Sequence, residues 1–184
     1  MNSLSDCYTL YNGVQVPCVA FGTWKMPNEV VEDAVACALT TGYRHIDTAA
    51  AYQNEVGVGA GLRKSGVSRQ DIFLVSKLQN DDHGYKNAIA SCERSLQRLG
   101  VDYLDGYLIH WPVLVENQDH LEEDLCDTWR AMEQLYKDGK VRAIGTSNFL
   151  EEHIDLLKAN FSDYPMINQV QMHPQCPQEE MIAY

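Results

Sequence analysis

The chain has 184 residues, of which 45% are hydrophobic and 22% charged, an ordinary composition for one globular domain. Its 26 acidic and 14 basic side chains give a formal net charge of -12, which disfavours nucleic acid and anionic membrane surfaces as partners. Because the six cysteines form no Cys-x-x-Cys pair and no segment has signal-peptide or membrane-span character, we expect no metal site and a cytoplasmic location.

The first predicted element is a β-hairpin. Tyr8-Thr9-Leu10 and Val14-Gln15-Val16 flank Asn12-Gly13, a dipeptide that tolerates the positive φ angles of a tight two-residue turn.

Beyond the hairpin, short apolar runs alternate with amphipathic segments. The runs recur roughly every 25 to 35 residues, the length of a strand, a returning helix and two loops. This repeat predicts an α/β protein with a parallel sheet, but periodicity alone does not decide between an open sheet and a closed barrel. The runs are Cys18–Phe21, His45–Asp47, Ile72–Val75, Tyr107–Ile109, Val141–Ile144 and Ile167–Gln171, and residues at helical spacing lie in Val30–Leu39 and Ala88–Leu99.

Polar side chains stand where these runs end. Each one alone has a structural explanation: a carboxylate can accept loop amide hydrogens, and Asn148 followed by Glu151 predicts a cap on the next helix. The carboxyl ends of parallel strands meet at one edge of the sheet, so all these polar side chains are expected to lie close together. Such a cluster favours a functional site over separate structural roles. The polar residues are Asp47, Tyr52, Lys77, His110, Ser147, Asn148, Gln169 and His173.

Four segments in colinear order resemble the motifs of the aldo-keto reductases. They are Gly42-Tyr43-Arg44-His45-Ile46-Asp47-Thr48-Ala49-Ala50-Ala51-Tyr52-Gln53-Asn54-Glu55, Leu108-Ile109-His110-Trp111-Pro112, Gly139 to Phe149, and Ile167 to Pro174. The resemblance runs from the hairpin to the last residue, and it implies a (β/α)8 TIM barrel that reduces carbonyl groups with NADPH.

The resemblance also implies a catalytic tetrad of Asp47, Tyr52, Lys77 and His110. Hydride addition puts negative charge on the carbonyl oxygen, so a proton donor must stand there, and Tyr52 is the candidate. An adjacent ammonium from Lys77 favours the ionised phenol and is expected to lower its pKa. Asp47 would be the counter-ion of that ammonium, and His110 would orient the carbonyl.

The same resemblance places the cofactor and the substrate. Thr23, Trp24, Asp47, Ser147, Asn148 and Gln169 would bind NADPH, the last three through the nicotinamide carboxamide. A small-molecule carbonyl substrate would lie against Trp24, Tyr52, His110 and Trp111. A Rossmann phosphate loop at Gly57–Gly61 is disfavoured, because the segment reads G-x-G-x-G and does not directly follow a strand. The polar stretch Val113–Asp124 resembles an active-site loop.

Length is the main departure from the family pattern. A complete barrel needs about 250 residues, so we expect one incomplete barrel domain over residues 1–184: a hairpin, about six strands and five to six helices, with the C-terminal quarter missing. One interpretation is a fragment of a reductase; the other is a catalytically silent homologue acting as a binding module. The full-length form is expected to be a monomer, and the 184-residue chain to self-associate and to bind dinucleotide weakly.

Overall fold

A computed structural model of the chain describes residues 3–4, 6–112 and 121–184. Most of the stretch 113–124, predicted to be an active-site loop, therefore lies outside the described residues. Within these ranges, no helix combines the length and the apolar character that crossing a bilayer requires.

The predicted hairpin is confirmed, with a longer turn than expected. Strands β1 (Cys7–Thr9) and β2 (Gln15–Pro17) pair antiparallel. The amide of Leu10 donates to the carbonyl of Val14, which leaves a loop of three residues instead of two. Gly13, the third of them, has a φ of 85°, and a left-handed residue in this place is typical of three-residue hairpin loops.

Beyond the hairpin, strands and helices alternate as predicted. The six remaining strands are all parallel and pair in chain order, so the sheet curls into a parallel half-barrel, which confirms the incomplete (β/α)8 fold. The strands are β3 (Ala20–Gly22), β4 (His45–Asp47), β5 (Phe73–Leu78), β6 (Gly106–Ile109), β7 (Ile144–Ser147) and β8 (Asn168–Gln169); the helices are α1 (Asn28–Thr40), α2 (Glu55–Ser65), α3 (Tyr85–Leu99), α4 (Leu121–Lys137), α5 (Glu151–Asn160) and α6 (Glu179–Ala183).

Strand β7 begins later than its apolar run predicted. The run Val141–Ile144 was expected to be the strand, whereas Val141 forms only an isolated bridge with Leu104 and the strand extends over Ile144–Ser147. All four strand residues are buried although two of them carry hydroxyl groups. The prediction was based on a run of apolar residues, so it left out the buried polar residues Thr146 and Ser147 at the end of the strand.

The core has two parts of unequal size. The larger part lies between the sheet and the helices, where Leu39, Leu74, Leu99 and Trp129 are fully buried. The smaller part lies on the concave face of the sheet and consists of Phe73, Val75 and Leu108, covered by Val14, Val16 and Ile167. The hairpin therefore lies against the concave face, and it contacts the start of β4 through the bond between the His45 ring and the Pro17 carbonyl.

The glycine-rich segment 57–61 lies inside helix α2 and is not a phosphate loop. A Cβ atom at Gly59 would clash with the carbonyl of Leu99 at the end of α3, and one at Gly61 would clash with Val35 of α1. Glycine at these positions lets three helices approach closely, which is a packing role.

Candidate active site

The predicted site residues meet at the carboxyl end of the sheet. Asp47, Ser147 and Gln169 are the last residues of β4, β7 and β8, Lys77 is the last but one of β5, and His110 directly follows β6. Because parallel neighbours end at one edge, these five side chains share one mouth. His173 does not join them, since it is exposed and pairs with Cys176 in a turn.

Lys77 is the centre of the site. Its side chain is fully buried, and Nζ lies 2.8 Å from both carboxylate oxygens of Asp47 and 3.0 Å from the carbonyl oxygen of Thr48. Burial lowers the pKa of Lys77, and the Asp47 carboxylate opposes that shift. A buried ammonium persists only with such a counter-ion and satisfied hydrogen bonds, so the two side chains form one electrostatic unit.

Tyr52 stands beside this ion pair. It ends a short 3-10 turn, Ala50–Tyr52, that follows β4, and Nζ of Lys77 lies 3.4 Å from its hydroxyl. The imidazole of His110 packs edge-on against its ring, with 5.7 Å between the ring centroids. The structure thus brings together all four residues of the predicted tetrad.

The pKa of the Tyr52 phenol is shifted in the direction opposite to the lowering that was expected. The pKa of Tyr52 is raised to about 12, first by burial and second by the negative charge of Asp47. Asp47 contacts the ammonium with both oxygens, so little of the positive charge of Lys77 is left to favour a phenolate. Tyr52 consequently keeps its proton at neutral pH.

His110 is an uncharged imidazole at neutral pH. Burial, and then the positive charge of Lys77, lower its pKa from 6.5 to about 4, although Asp47 acts in the opposite direction. A neutral imidazole has one N–H to donate and one nitrogen that accepts.

A buried ring of hydrogen bonds lies next to the ion pair and includes Thr48. The hydroxyl of Thr23 lies 2.9 Å from that of Thr48, and the hydroxyl of Thr48 donates to Asn54 Oδ1. Asn54 Nδ2 closes the ring on the carbonyl of Thr23 at 2.8 Å and also reaches the carbonyl of Met26. The ring fixes Thr48, whose carbonyl is an acceptor of Lys77. The predicted contact of Thr23 with the dinucleotide stays a prediction.

Asn54 was missed in the sequence analysis. It lies directly before α2, where asparagine is common as a helix cap, but its side chain makes no cap bond and joins two loops instead. Its place in the first family-like segment was the only signal available.

The predicted carboxamide-binding residues form a hydrogen-bonded arc. Asn148 Nδ2 donates to the His110 carbonyl at 3.0 Å and to Ser147 Oγ at 3.1 Å, and Ser147 Oγ donates to the Gln169 carbonyl at 2.9 Å. Gln169 Nε2 then donates to Asp47 Oδ1 at 3.0 Å. The arc therefore connects two members of the tetrad.

Asn148 does not cap the next helix, contrary to expectation. The residue before α5 is Leu150, and its amide donates to Nδ1 of His153 at 3.1 Å. Asn148 instead adopts a left-handed backbone with a φ of 61°, which turns its amide toward His110.

Two tryptophans that come shortly after strand ends expose large aromatic surfaces. Trp24 follows β3 and is 66% exposed, and Trp111 follows His110 and is 47% exposed. Their predicted role as walls of the substrate pocket stays a prediction. Among the described residues, no cluster of His, Cys, Asp and Glu has the arrangement of a metal site.

The chain is similar to known proteins in both sequence and fold. Residues 19–184 match the sequence profile of the Aldo/keto reductase family. The chain is 48% identical over 183 residues to the glyoxal reductase of Bacillus subtilis, covering 99% of this chain and 63% of that protein. The chain thus spans less than two thirds of that relative.

Two solved structures are also similar. The aldo/keto reductase of Brucella melitensis superposes with a TM-score of 0.90 at 40% identity, over 97% of this chain and 68% of that one. The Bombyx mori aldo-keto reductase in complex with NADP also gives a TM-score of 0.90, at 35% identity, over 98% of this chain and 62% of that one.

Proposed function

This chain belongs to the aldo/keto reductase family, and we propose that it reduces the carbonyl of an aldehyde or ketone to an alcohol with hydride from NADPH. The observation that carries the proposal is the buried ammonium of Lys77, which contacts both the Asp47 carboxylate and the Tyr52 hydroxyl. A proton donor next to a buried, charge-compensated cation is suited to a reaction in which an oxygen gains negative charge.

The residues at the mouth fit a nicotinamide cofactor. A carboxamide needs both donors and acceptors, and Ser147, Asn148 and Gln169 present amide and hydroxyl groups next to the tetrad. The Bombyx mori relative was solved with NADP, which supports the proposed choice of NADPH. When bound, the cofactor would supply the hydride.

Tyr52 would act as the general acid. Because the pKa of its phenol is raised to about 12, the proton is present at neutral pH and is released only to an oxygen that becomes strongly basic. The carbonyl carbon gains the hydride, the carbonyl oxygen gains the proton of Tyr52, and the resulting phenolate accepts a hydrogen bond from Lys77. The phenol regains its proton from water.

His110 would orient the substrate. Its neutral imidazole packs against the ring of Tyr52, so its N–H would donate to the same carbonyl oxygen as the Tyr52 hydroxyl. Two donors on one carbonyl oxygen fix its direction and stabilise charge on it. Trp24 and Trp111 would shield this oxygen from water with their exposed aromatic faces.

A turnover assay tests the proposal, and glyoxal is the first substrate to try because one relative is named glyoxal reductase. Loss of NADPH absorbance is expected on addition of glyoxal or another small aldehyde to the full chain. The alternative, a silent binding module, is not favoured, because the four groups needed for chemistry lie in contact. The absence of turnover across a panel of small aldehydes and ketones would contradict the proposed activity.

A further inference from the structure

The orientations of two amides in the arc are fixed by chemistry. The carbonyl of His110 only accepts hydrogen bonds, so the atom of Asn148 facing it must be the nitrogen. The Asp47 carboxylate, which is the ionised partner of Lys77, also only accepts, so the atom of Gln169 facing it is Nε2.

The two amides differ in how many of their N–H groups already have an acceptor. Both N–H groups of Asn148 have acceptors, His110 and Ser147, and the Ser147 hydroxyl hydrogen is directed at the Gln169 carbonyl. Gln169 Nε2 uses one N–H on Asp47, and its second N–H has no acceptor within residues 3–4, 6–112 and 121–184. This N–H is therefore the donor in the arc that remains available to a ligand.

The bond between Gln169 and Asp47 also joins the ends of two strands that are not neighbours in the sheet. Asp47 ends β4 and Gln169 ends β8, the second and the sixth strand of the sheet, so the bond spans the mouth of the half-barrel. Oδ1 of Asp47, which accepts it, also accepts from Lys77. Gln169 and Lys77 thus compete for the charge of one oxygen.

We propose that Gln169 is a positioning residue for the Asp47–Lys77 pair, acting through its bond to the Asp47 oxygen that Lys77 also contacts. This inference does not rest on the proposed function. Because the proposed function already assigns Gln169 to the nicotinamide carboxamide, one side chain would then connect the cofactor to the group that controls the proton donor.

The positioning role of Gln169 should be measurable in the chain without dinucleotide. If Gln169 withdraws charge from Asp47, its removal leaves the carboxylate a stronger partner for the ammonium, and the pKa of Lys77 rises. The other groups that face Lys77 are the Thr48 carbonyl, the Tyr52 hydroxyl and the His110 ring, the last uncharged at neutral pH. None of them is altered by the substitution.

The experiment is an NMR titration of the full chain with lysine isotope-labelled at Cε, in which Lys77→Met identifies the resonance. In Gln169→Met, which keeps the side-chain length and removes the donor, we expect the pKa of Lys77 to rise by about one unit. Gln169→Asn, whose amide is too short to reach Asp47, should raise it in the same direction. Ser147→Ala is the matched control, since Ser147 belongs to the arc but does not touch Asp47, and it should leave this pKa unchanged. Circular dichroism confirms that each variant is folded.

A Lys77 pKa that stays within about half a unit of the parent value in both Gln169 variants, or that falls, overturns the positioning role. A second arm measures NADPH binding by fluorescence, and Gln169→Met should weaken it about tenfold, the effect of one lost hydrogen bond. Unchanged NADPH affinity in Gln169→Met would overturn the carboxamide contact that the proposed function assigns to this side chain. If the parent itself binds no NADPH, the proposed function fails, whereas the Lys77 titration still decides the role of Gln169.

Discussion

Gln169 and Asp47 lie 122 positions apart in the sequence, and one hydrogen bond of 3.0 Å joins their side chains. Neighbouring strands do not explain this contact, because three strands separate β8 from β4 in the sheet. It exists because the sheet curls, and the curvature is what brings an acid, an ammonium, a phenol and an imidazole to one mouth.

Removal of the phenol should abolish most of the proposed turnover. In Tyr52→Phe, the ring that packs against His110 is kept and only the proton donor is lost. General acid catalysis typically contributes about 10²- to 10⁴-fold, so kcat should fall by that factor while the dissociation constant for NADPH stays constant. Stopped-flow and steady-state assays measure both, and near-normal turnover would refute the role of Tyr52.

Removal of the ammonium should cost stability as well as activity. In Lys77→Met, the Asp47 carboxylate remains largely buried without its counter-ion, and breaking such a pair typically costs about 3–5 kcal/mol. The free energy of unfolding, from urea titration, should fall by that order. The control is Lys77→Met combined with Asp47→Asn, which removes both charges and should recover part of the loss. Equal stability of the single and double variants would argue against a coupled pair.

His110 should make the folded chain sensitive to acid. Its pKa is lowered to about 4 from an ordinary value of 6.5, so the unfolded chain takes up this proton first as the pH falls. The free energy of unfolding is therefore highest above pH 6.5 and falls progressively toward pH 4. Because the ring is partly exposed, solvent screening should keep the total loss well below about 3 kcal/mol.

Urea midpoints measured between neutral pH and pH 4 test this prediction. Because burial also lowers the pKa values of His45, His83 and His153, the parent alone is not informative. The comparison is with His110→Gln, whose midpoint should depend less steeply on pH. Parallel curves for the two proteins would show that His110 does not titrate as described.

The 184-residue chain should associate with itself. Strands β3 and β8 are the two edges of the described sheet, and unpaired strand edges favour pairing with other chains. Light scattering coupled to size exclusion should detect a dimer or larger species. In Ala20→Lys, a charge on the exposed edge residue of β3 should shift the population toward monomer. A parent that is monomeric and unfolds in one sharp, reversible transition would contradict the prediction.

The sequence was sufficient for the architecture and for the position of the tetrad. Apolar runs and helical spacing located each strand to within a few residues, and strand ends identified Asp47, Lys77 and His110 as neighbours. The direction of the Tyr52 pKa shift was not predictable, because it depends first on how deeply the phenol is buried and second on its distance from the Asp47 charge, and both are set only by the folded structure. The same applies to Asn54, whose side chain contacts the carbonyls of residues that lie 31 and 28 positions earlier in the sequence.

Because Asn148 has a left-handed backbone, the effect of its hydrogen bonds can be measured separately from the strain of its conformation. Alanine at this position would remove the amide and also bear the strain of a positive φ, of order 1 kcal/mol, so its effects would be mixed. Glycine adopts this conformation without strain, so Asn148→Gly removes the hydrogen bonds to His110 and Ser147 without straining the folded backbone. Both substitutions lose the same amide group. A difference between the stabilities of the alanine and glycine variants therefore measures what the positive φ at this position costs.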